Sequence, residues 1–199
     1  VFILILGFAF FPHYLMVPYG DGIIELEKIP FFLYGLFLIL ASTNAFNITD
    51  GLDGLAGGCG ILTFAFWAGL FFWKGDFSLA RIAAIFAGAL LSFLWFNFWP
   101  ARIFMGDCGS LSLGALMGVL ALFSGYSWIL ALAGVVYVLD TLSVILQVFS
   151  FRVWGKRIFL MSPLHHHFEL RGEKESKITI RFWIIQGVGV IAAILGIVR

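Results

Sequence analysis

The amino-acid sequence predicts an all-α fold, a polytopic transmembrane helix bundle. Three observations carry that expectation. The 199 residues are 62% hydrophobic and 12% charged, roughly half the charged share of a soluble domain. Mean hydropathy is +1.05. Apolar runs near the ~20 residues that a bilayer core requires recur along the chain, accompanied by 24 Phe and 7 Trp.

The runs lie near residues 1–17, 31–46, 55–73, 79–98, 111–123, 128–151 and 180–198. They make about seven spans of a single transmembrane domain covering 1–199. Residues 17–30 form a polar excursion around Gly20, Asp21 and Gly22 that reads as a small hairpin. Residues 74–78 and 124–127 read as tight turns. The chain opens at Val1 in an apolar run without a basic segment or cleavage site. That argues against a signal peptide and for an N-terminal portion missing from this sequence.

Composition also excludes functions. Cys59 and Cys108 are too few and too far apart for a disulfide framework or a zinc site. A net charge of +1 offers no bulk attraction to nucleic acid.

If the spans alternate, one face receives residues 47–54, 97–110 and 152–181. That face carries Arg102, Arg152, Lys156, Arg157, Arg171, Lys174, Lys177 and Arg181, against Lys28, Lys74, Arg81 and Arg199 on the other. The excess of basic loop residues places the first face in the cytoplasm, and all three motif-bearing loops share it.

The first of these loops reads Asn44-Ala-Phe-Asn47-Ile-Thr-Asp50-Gly51-Leu-Asp53-Gly54. Two carboxylates three residues apart with flanking Asn oxygens suit a hard cation, or a ribose and base edge, and the glycines allow close approach of backbone to a ligand. The same pattern fits an interfacial turn in which Asp50 caps a helix. The second loop runs Asn97-Phe-Trp-Pro100-Ala-Arg102-Ile-Phe104-Met-Gly106-Asp107-Cys108-Gly109-Ser110. Asp107 sits where an apolar helix begins and suits Mg²⁺, which takes one or two carboxylates plus substrate phosphates; it equally suits a helix cap. Phe104 fits a base stack or an interfacial anchor.

The third loop contains Pro163-Leu-His165-His166-His167-Phe-Glu169. Consecutive histidines fan out by about 100° on a helix and cannot all ligate one ion, so they read as donors to phosphate oxygens, with one as an acid or base. The neighbouring Lys156, Arg157, Arg171 and Lys174 read as topological anchors or as contacts to anionic lipid headgroups. Asp140 falls near the middle of the 128–151 span and reads as an interhelical hydrogen bond. Gln147 lies nearer the motif-bearing face, within reach of a ligand.

These segments resemble the bacterial phospho-N-acetylmuramoyl-pentapeptide-transferases, of the polyprenyl-phosphate N-acetylhexosamine-1-phosphate transferase superfamily. The similarity runs from about residue 31 to 199 and includes Asp140-Thr-Leu-Ser-Val-Ile-Leu-Gln147-Val. The uninterrupted histidine triplet is its most specific part. The resemblance implies a ten-span, usually dimeric enzyme of the bacterial inner membrane, of which this chain would hold the last seven spans. It implies transfer of phospho-MurNAc-pentapeptide from UDP-MurNAc-pentapeptide to undecaprenyl phosphate, giving lipid I and UMP. By it, Asp107 would be the Mg²⁺ ligand and Asp50 part of the catalytic acidic cluster. Asp53 would contact uracil and Phe104 stack on it, with Asn47, Asn97 and Gln147 lining the nucleoside pocket. His165, His166 and His167 would serve the pyrophosphate or nucleoside region. Cys108 departs from the family's usual Thr or small aliphatic residue. The family's tandem Asp motif and nearby Lys would lie upstream of Val1, so this chain alone is expected to be inactive.

Three rivals stand beside this expectation. One is a related transferase using UDP-GlcNAc. Another is an ion-coupled membrane transporter working through Asp140, which an absence of broken spans at mid-membrane argues against. The last is a non-catalytic scaffold.

Overall fold

A computed structural model describes residues 12–20 and 22–198. The first expected span falls largely outside these residues, as do Asp21 and Arg199. Six described helices are long and apolar enough to cross a membrane. They are α1 (Lys28–Thr49), α2 (Leu55–Trp73), α3 (Phe77–Asn97), α4 (Gly106–Ser124), α6 (Val135–Trp154) and α8 (Glu175–Leu195). Two short helices complete the set, α5 (Leu130–Ala133) and α7 (Leu164–Leu170). Each long helix satisfies its backbone internally, which a bilayer demands; 22 residues of α1 extend about 33 Å.

The polar excursion is a hairpin. Strands β1 (Tyr14–Met16) and β2 (Ile23–Glu25) pair antiparallel with Leu15 opposite Ile24. β1 thus replaces helix at the end of the first expected span. The hairpin packs over the end of the bundle away from the motif loops. Met16 N–H donates to Gly125 O and Tyr19 N–H to Gly196 O, and the Tyr19 hydroxyl donates to Ala192 O at 2.6 Å.

α2 is the central helix, its face buried by Leu55, Ala56, Cys59, Phe64, Trp67 and Phe71. α3 and α8 pack on it, and α4 and α6 pack on α1. The α1–α4 contact is made by small residues. A Cβ on Gly114 would stand 2.6 Å from Ser42 O and 2.7 Å from Thr43 Cα, and one on Gly118 would stand 3.1 Å from Ile39 Cα. This is a Gly-x-x-x-Gly seam of the kind that lets membrane helices approach backbone to backbone. It brings the end of α1 beside the start of α4, where Asn47 and Asp107 sit.

The span expected over 128–151 is interrupted. A 3₁₀ turn at Ser127–Ile129 leads into α5, and Gly134 separates α5 from α6. The exposed backbone groups are taken up inside the protein. Gln186 Oε1 accepts from Val136 N–H at 3.1 Å, its amide donates to Ala133 O and to Thr63 Oγ1 at 2.8 Å, and the Thr63 hydroxyl donates to Ala133 O at 2.9 Å. Broken helices survive in lipid where neighbouring side chains satisfy the freed groups.

Candidate active site

The acidic loop between α1 and α2 is held from every side. Gly54 caps α2 at φ +75°, a left-handed conformation that a side chain would strain. Its N–H donates to Asn97 Oδ1 at 3.1 Å, and its carbonyl accepts from the Trp183 indole at 3.2 Å. Asp53 N–H donates to Glu175 Oε1 at 2.7 Å, and Asp53 O accepts from the Thr179 hydroxyl at 3.2 Å. Asp53 Oδ2 accepts from Ala101 N–H at 2.8 Å, tying the acidic loop to the second motif loop. The Tyr137 hydroxyl of α6 reaches Ala56 O at 3.3 Å.

Asp50 is treated differently. Half-buried at the end of α1, its carboxylate makes no hydrogen bond among the described residues. Burial, and then the nearby charge of Asp107, push its pKa up to about 6. Asp107 lies exposed in the first turn of α4. Its Oδ1 accepts from Asn47 Nδ2 at 3.0 Å, and the same amide donates to Ser110 Oγ at 2.8 Å. Thus Asn47, Asp50 and Asp107, from two loops, form one acidic corner. No group of three or more His, Cys, Asp or Glu side chains among the described residues forms a ready-made metal cage. Mg²⁺ does not require one, since waters and substrate phosphates complete its shell. A carboxylate whose proton affinity is raised by burial and by a neighbouring carboxylate is part of a donor set that a divalent cation relieves.

The histidine triplet lies on α7 and fans out as its spacing requires. His165 is fully buried, with Nδ1 2.9 Å from Asp140 Oδ2. Its ring faces Gly51, where a Cβ would collide with Nε2 and stand 3.1 Å from Cε1. His166 Nδ1 lies 2.8 Å from Glu169 Oε2. His167 Nδ1 accepts from Leu160 N–H at 3.1 Å, which in a neutral ring places the proton on Nε2. The first histidine therefore reaches the acidic loop and the other two stay partly exposed.

Asp140 is not remote from the motifs. It lies one turn beyond Tyr137, level with the acidic loop, and α6 runs on along its axis for about 20 Å. Sequence position within an apolar run gave it mid-membrane depth because a run's centre need not be the bilayer's centre. Its partner sits in another loop, so pairwise spacing carried no signal.

Asn97 and Gln147 both hydrogen-bond to backbone within the protein. Asn97 is buried, with Nδ2 donating to Ile103 O at 2.9 Å. Gln147 Oε1 accepts from the N–H groups of Ile158 and Phe159, both at 3.0 Å, and its Nε2 donates to Phe159 O at 2.9 Å. It pins the third loop along α6, beside a groove of about 490 Å³ lined by Val148, Phe151, Arg152 and Arg157. Phe104 is 75% exposed, free to offer its face. Glu173 takes Arg181 and, at 3.3 Å, Lys177; Arg152, Lys156, Arg157, Arg171 and Lys174 make no ion pair among the described residues.

Comparison with known proteins adds to this geometry. A family model described as glycosyl transferase family 4 matches residues 1–125. A phospho-N-acetylmuramoyl-pentapeptide-transferase of Desulforamulus reducens is 44% identical over 182 residues, 91% of this chain and 54% of that protein. The enzyme of the same name from Moorella thermoacetica is 49% identical over 165 residues, 83% of this chain and 51% of its own length. That of Anoxybacillus flavithermus is 42% identical over 200 residues, covering 98% and 60%. The chain spans about half the length of the curated relatives it matches.

Proposed function

The chain belongs to glycosyl transferase family 4, and from that premise we propose that it serves a membrane phospho-sugar transferase. The reaction moves phospho-MurNAc-pentapeptide from UDP-MurNAc-pentapeptide to undecaprenyl phosphate, forming lipid I and UMP. The observation that carries this reading is the acidic corner, where Asp50 and Asp107 from separate loops face each other beside Asn47. The names of the similar proteins favour a MurNAc-pentapeptide donor over UDP-GlcNAc. The excess of basic residues on the motif-bearing loops supports a cytoplasmic position for the corner at the inner membrane, where a lipid phosphate and a soluble nucleotide can meet. Dimerisation belongs to the same proposal.

Both substrates are anionic, so positioning and charge neutralisation dominate the chemistry. A phosphate oxygen of the lipid attacks the β-phosphorus of the nucleotide sugar, and the bond to the UMP oxygen breaks. Asp107, with Asp50 beside it, would hold Mg²⁺, which when bound neutralises the diphosphate and stabilises departing UMP. Asn47 orients the Asp107 carboxylate. Phe104 offers an exposed face to uracil, and the open Oδ1 of Asp53 offers it an acceptor. Asn97 and Gln147 contribute by holding the loops. His167, a donor through Nε2, and His166, backed by Glu169, supply N–H groups to phosphate oxygens.

An ion-coupled carrier is disfavoured by the way polar groups are used. The broken helix at Gly134 spends its free backbone groups on Gln186 and Thr63, whereas carriers aim such groups at an ion. The decisive assay uses the protein as its own gene encodes it, supplies undecaprenyl phosphate with either UDP-MurNAc-pentapeptide or UDP-GlcNAc, and measures UMP and lipid product. Product from the first donor, abolished by Asp107→Ala, is expected. Full turnover by the Asp107→Ala protein would overturn the reading.

A further inference from the structure

Asp140 and His165 are a buried polar pair whose role the acidic corner does not explain. Both side chains are fully buried, and an ionised carboxylate can only accept, so His165 Nδ1–H donates to Asp140 Oδ2 at 2.9 Å. A buried pair of this kind says little about stability by itself; what it fixes is informative. The opposite edge of the ring lies under Gly51. Nε2 has no hydrogen bond among the described residues and is shut off from solvent, so this ring has no open path to a substrate. One turn before Asp140, Tyr137 holds Ala56 O and stacks on Phe46, ring centroids 5.0 Å apart. α6 therefore supports the acidic segment at two points: the first turn of α2, at Ala56, through Tyr137, and Gly51 of the acidic loop through His165.

We propose that Asp140 and His165 are positioning residues: Asp140 fixes the His165 ring as the floor beneath Gly51, and that floor sets where adjacent Asp50 stands relative to Asp107. The histidine triplet is thereby divided. His165 works inside the protein, while His166 and His167 keep partly exposed rings. The consequence for turnover rests on the transferase reading; the contact itself does not.

A double-mutant cycle in the protein as its own gene encodes it separates the two. Gly51→Ala drives a methyl into the ring. His165→Asn retains a donor for Asp140 and leaves space under residue 51. Each single variant is expected to lose about 10–100-fold in kcat, with KM for the nucleotide sugar changed less than about threefold. The double variant is expected to recover at least about tenfold over Gly51→Ala, because the methyl fills the vacated space. Asp140→Ala is expected to lose about 10–100-fold, and Asp140→Asn, which keeps an acceptor oxygen, less. The melting temperature in detergent follows the same cycle without needing activity: Gly51→Ala lowers it and His165→Asn restores it. Simple additivity in both readouts, or wild-type kcat in Gly51→Ala, overturns the proposal. If the unmutated protein releases no UMP, the transferase reading fails instead, and the melting cycle alone decides whether the floor exists.

Discussion

Replacing Gly114 by Ala tests whether helix spacing sets the acidic corner. The new Cβ would stand 2.6 Å from Ser42 O, 2.7 Å from Thr43 Cα and 2.9 Å from Phe46 Cβ, and the first two are backbone atoms that no rotamer can withdraw. Ordinary carbon contacts lie at about 3.5–4.0 Å, so α1 and α4 must part by about 1 Å. Asp107 is two turns from Gly114 along α4, and Asn47 one turn beyond Thr43 along α1. Helices transmit a shift over that distance, so the 3.0 Å bond from Asn47 to Asp107 stretches to about 4 Å and ceases to be a hydrogen bond. Overpacking costs about 1–3 kcal/mol, and a misplacement of about 1 Å at reacting groups costs about 100-fold in rate. Gly118→Ala is the internal comparison. Its Cβ meets the Ser42 hydroxyl, which can rotate, and Ile39 Cα at 3.1 Å, so a smaller loss is expected. The assay is kcat per folded molecule, with folding followed by thermal melting in detergent. A Gly114→Ala protein with a lowered melting point but kcat within about threefold of wild type would refute the link between this seam and the site.

Two further outcomes follow from other features. The Asp50 carboxyl has a folded pKa of about 6 against about 4 when unfolded, so the folded state binds its proton more tightly. Its contribution to stability is full below about pH 4 and is lost as pH rises through about 6. Asp50→Asn should therefore raise the melting temperature at pH 7.5 without metal and have little effect near pH 4, and Mg²⁺ should narrow the difference; a uniform shift at both pH values would count against this. Gln186→Leu strands Val136 N–H at the helix break and leaves Ala133 O to the Thr63 hydroxyl alone, at a cost of about 1–3 kcal/mol, read as a lower melting point; an unchanged one would mean that water or backbone adjustment replaces the side chain.

The spans were legible because lipid imposes one rule on every residue of a run. Their ends were less so, for reasons visible in particular residues. α4 begins at Gly106, not near residue 111, because small and polar residues there can be helical while holding a functional carboxylate. α1 begins at Lys28, ahead of the apolar run, since Pro30 is tolerated in a first turn. The break at Gly134 is invisible to hydropathy, both flanks being apolar, and the residue that stabilises it, Gln186, belongs to another helix. Asn97 and Gln147 carry the same amide that a ligand-binding residue would, and only coordinates tell that these amides also bond to backbone. The Gly114–Gly118 spacing is a packing signal present in the sequence itself.

The two aspartates of the acidic loop show why rigidity and charge belong together here. Asp53 has the same side chain as Asp50, three residues away, yet accepts from Ala101 N–H and is flanked by ties to Glu175 and Thr179. Those ties deny the loop the freedom to swing Asp50 away from Asp107. In a mobile loop Asp50 would regain solvent and part from Asp107, removing both the burial and the neighbouring charge that raise its proton affinity. The raised proton affinity of Asp50, set first by its burial and then by the charge of Asp107, thus depends on the clamp that holds its neighbours in place. It follows that loosening the clamp at a distance, at Asn97 or Trp183, should relax Asp50 toward ordinary carboxylate behaviour without touching either acid.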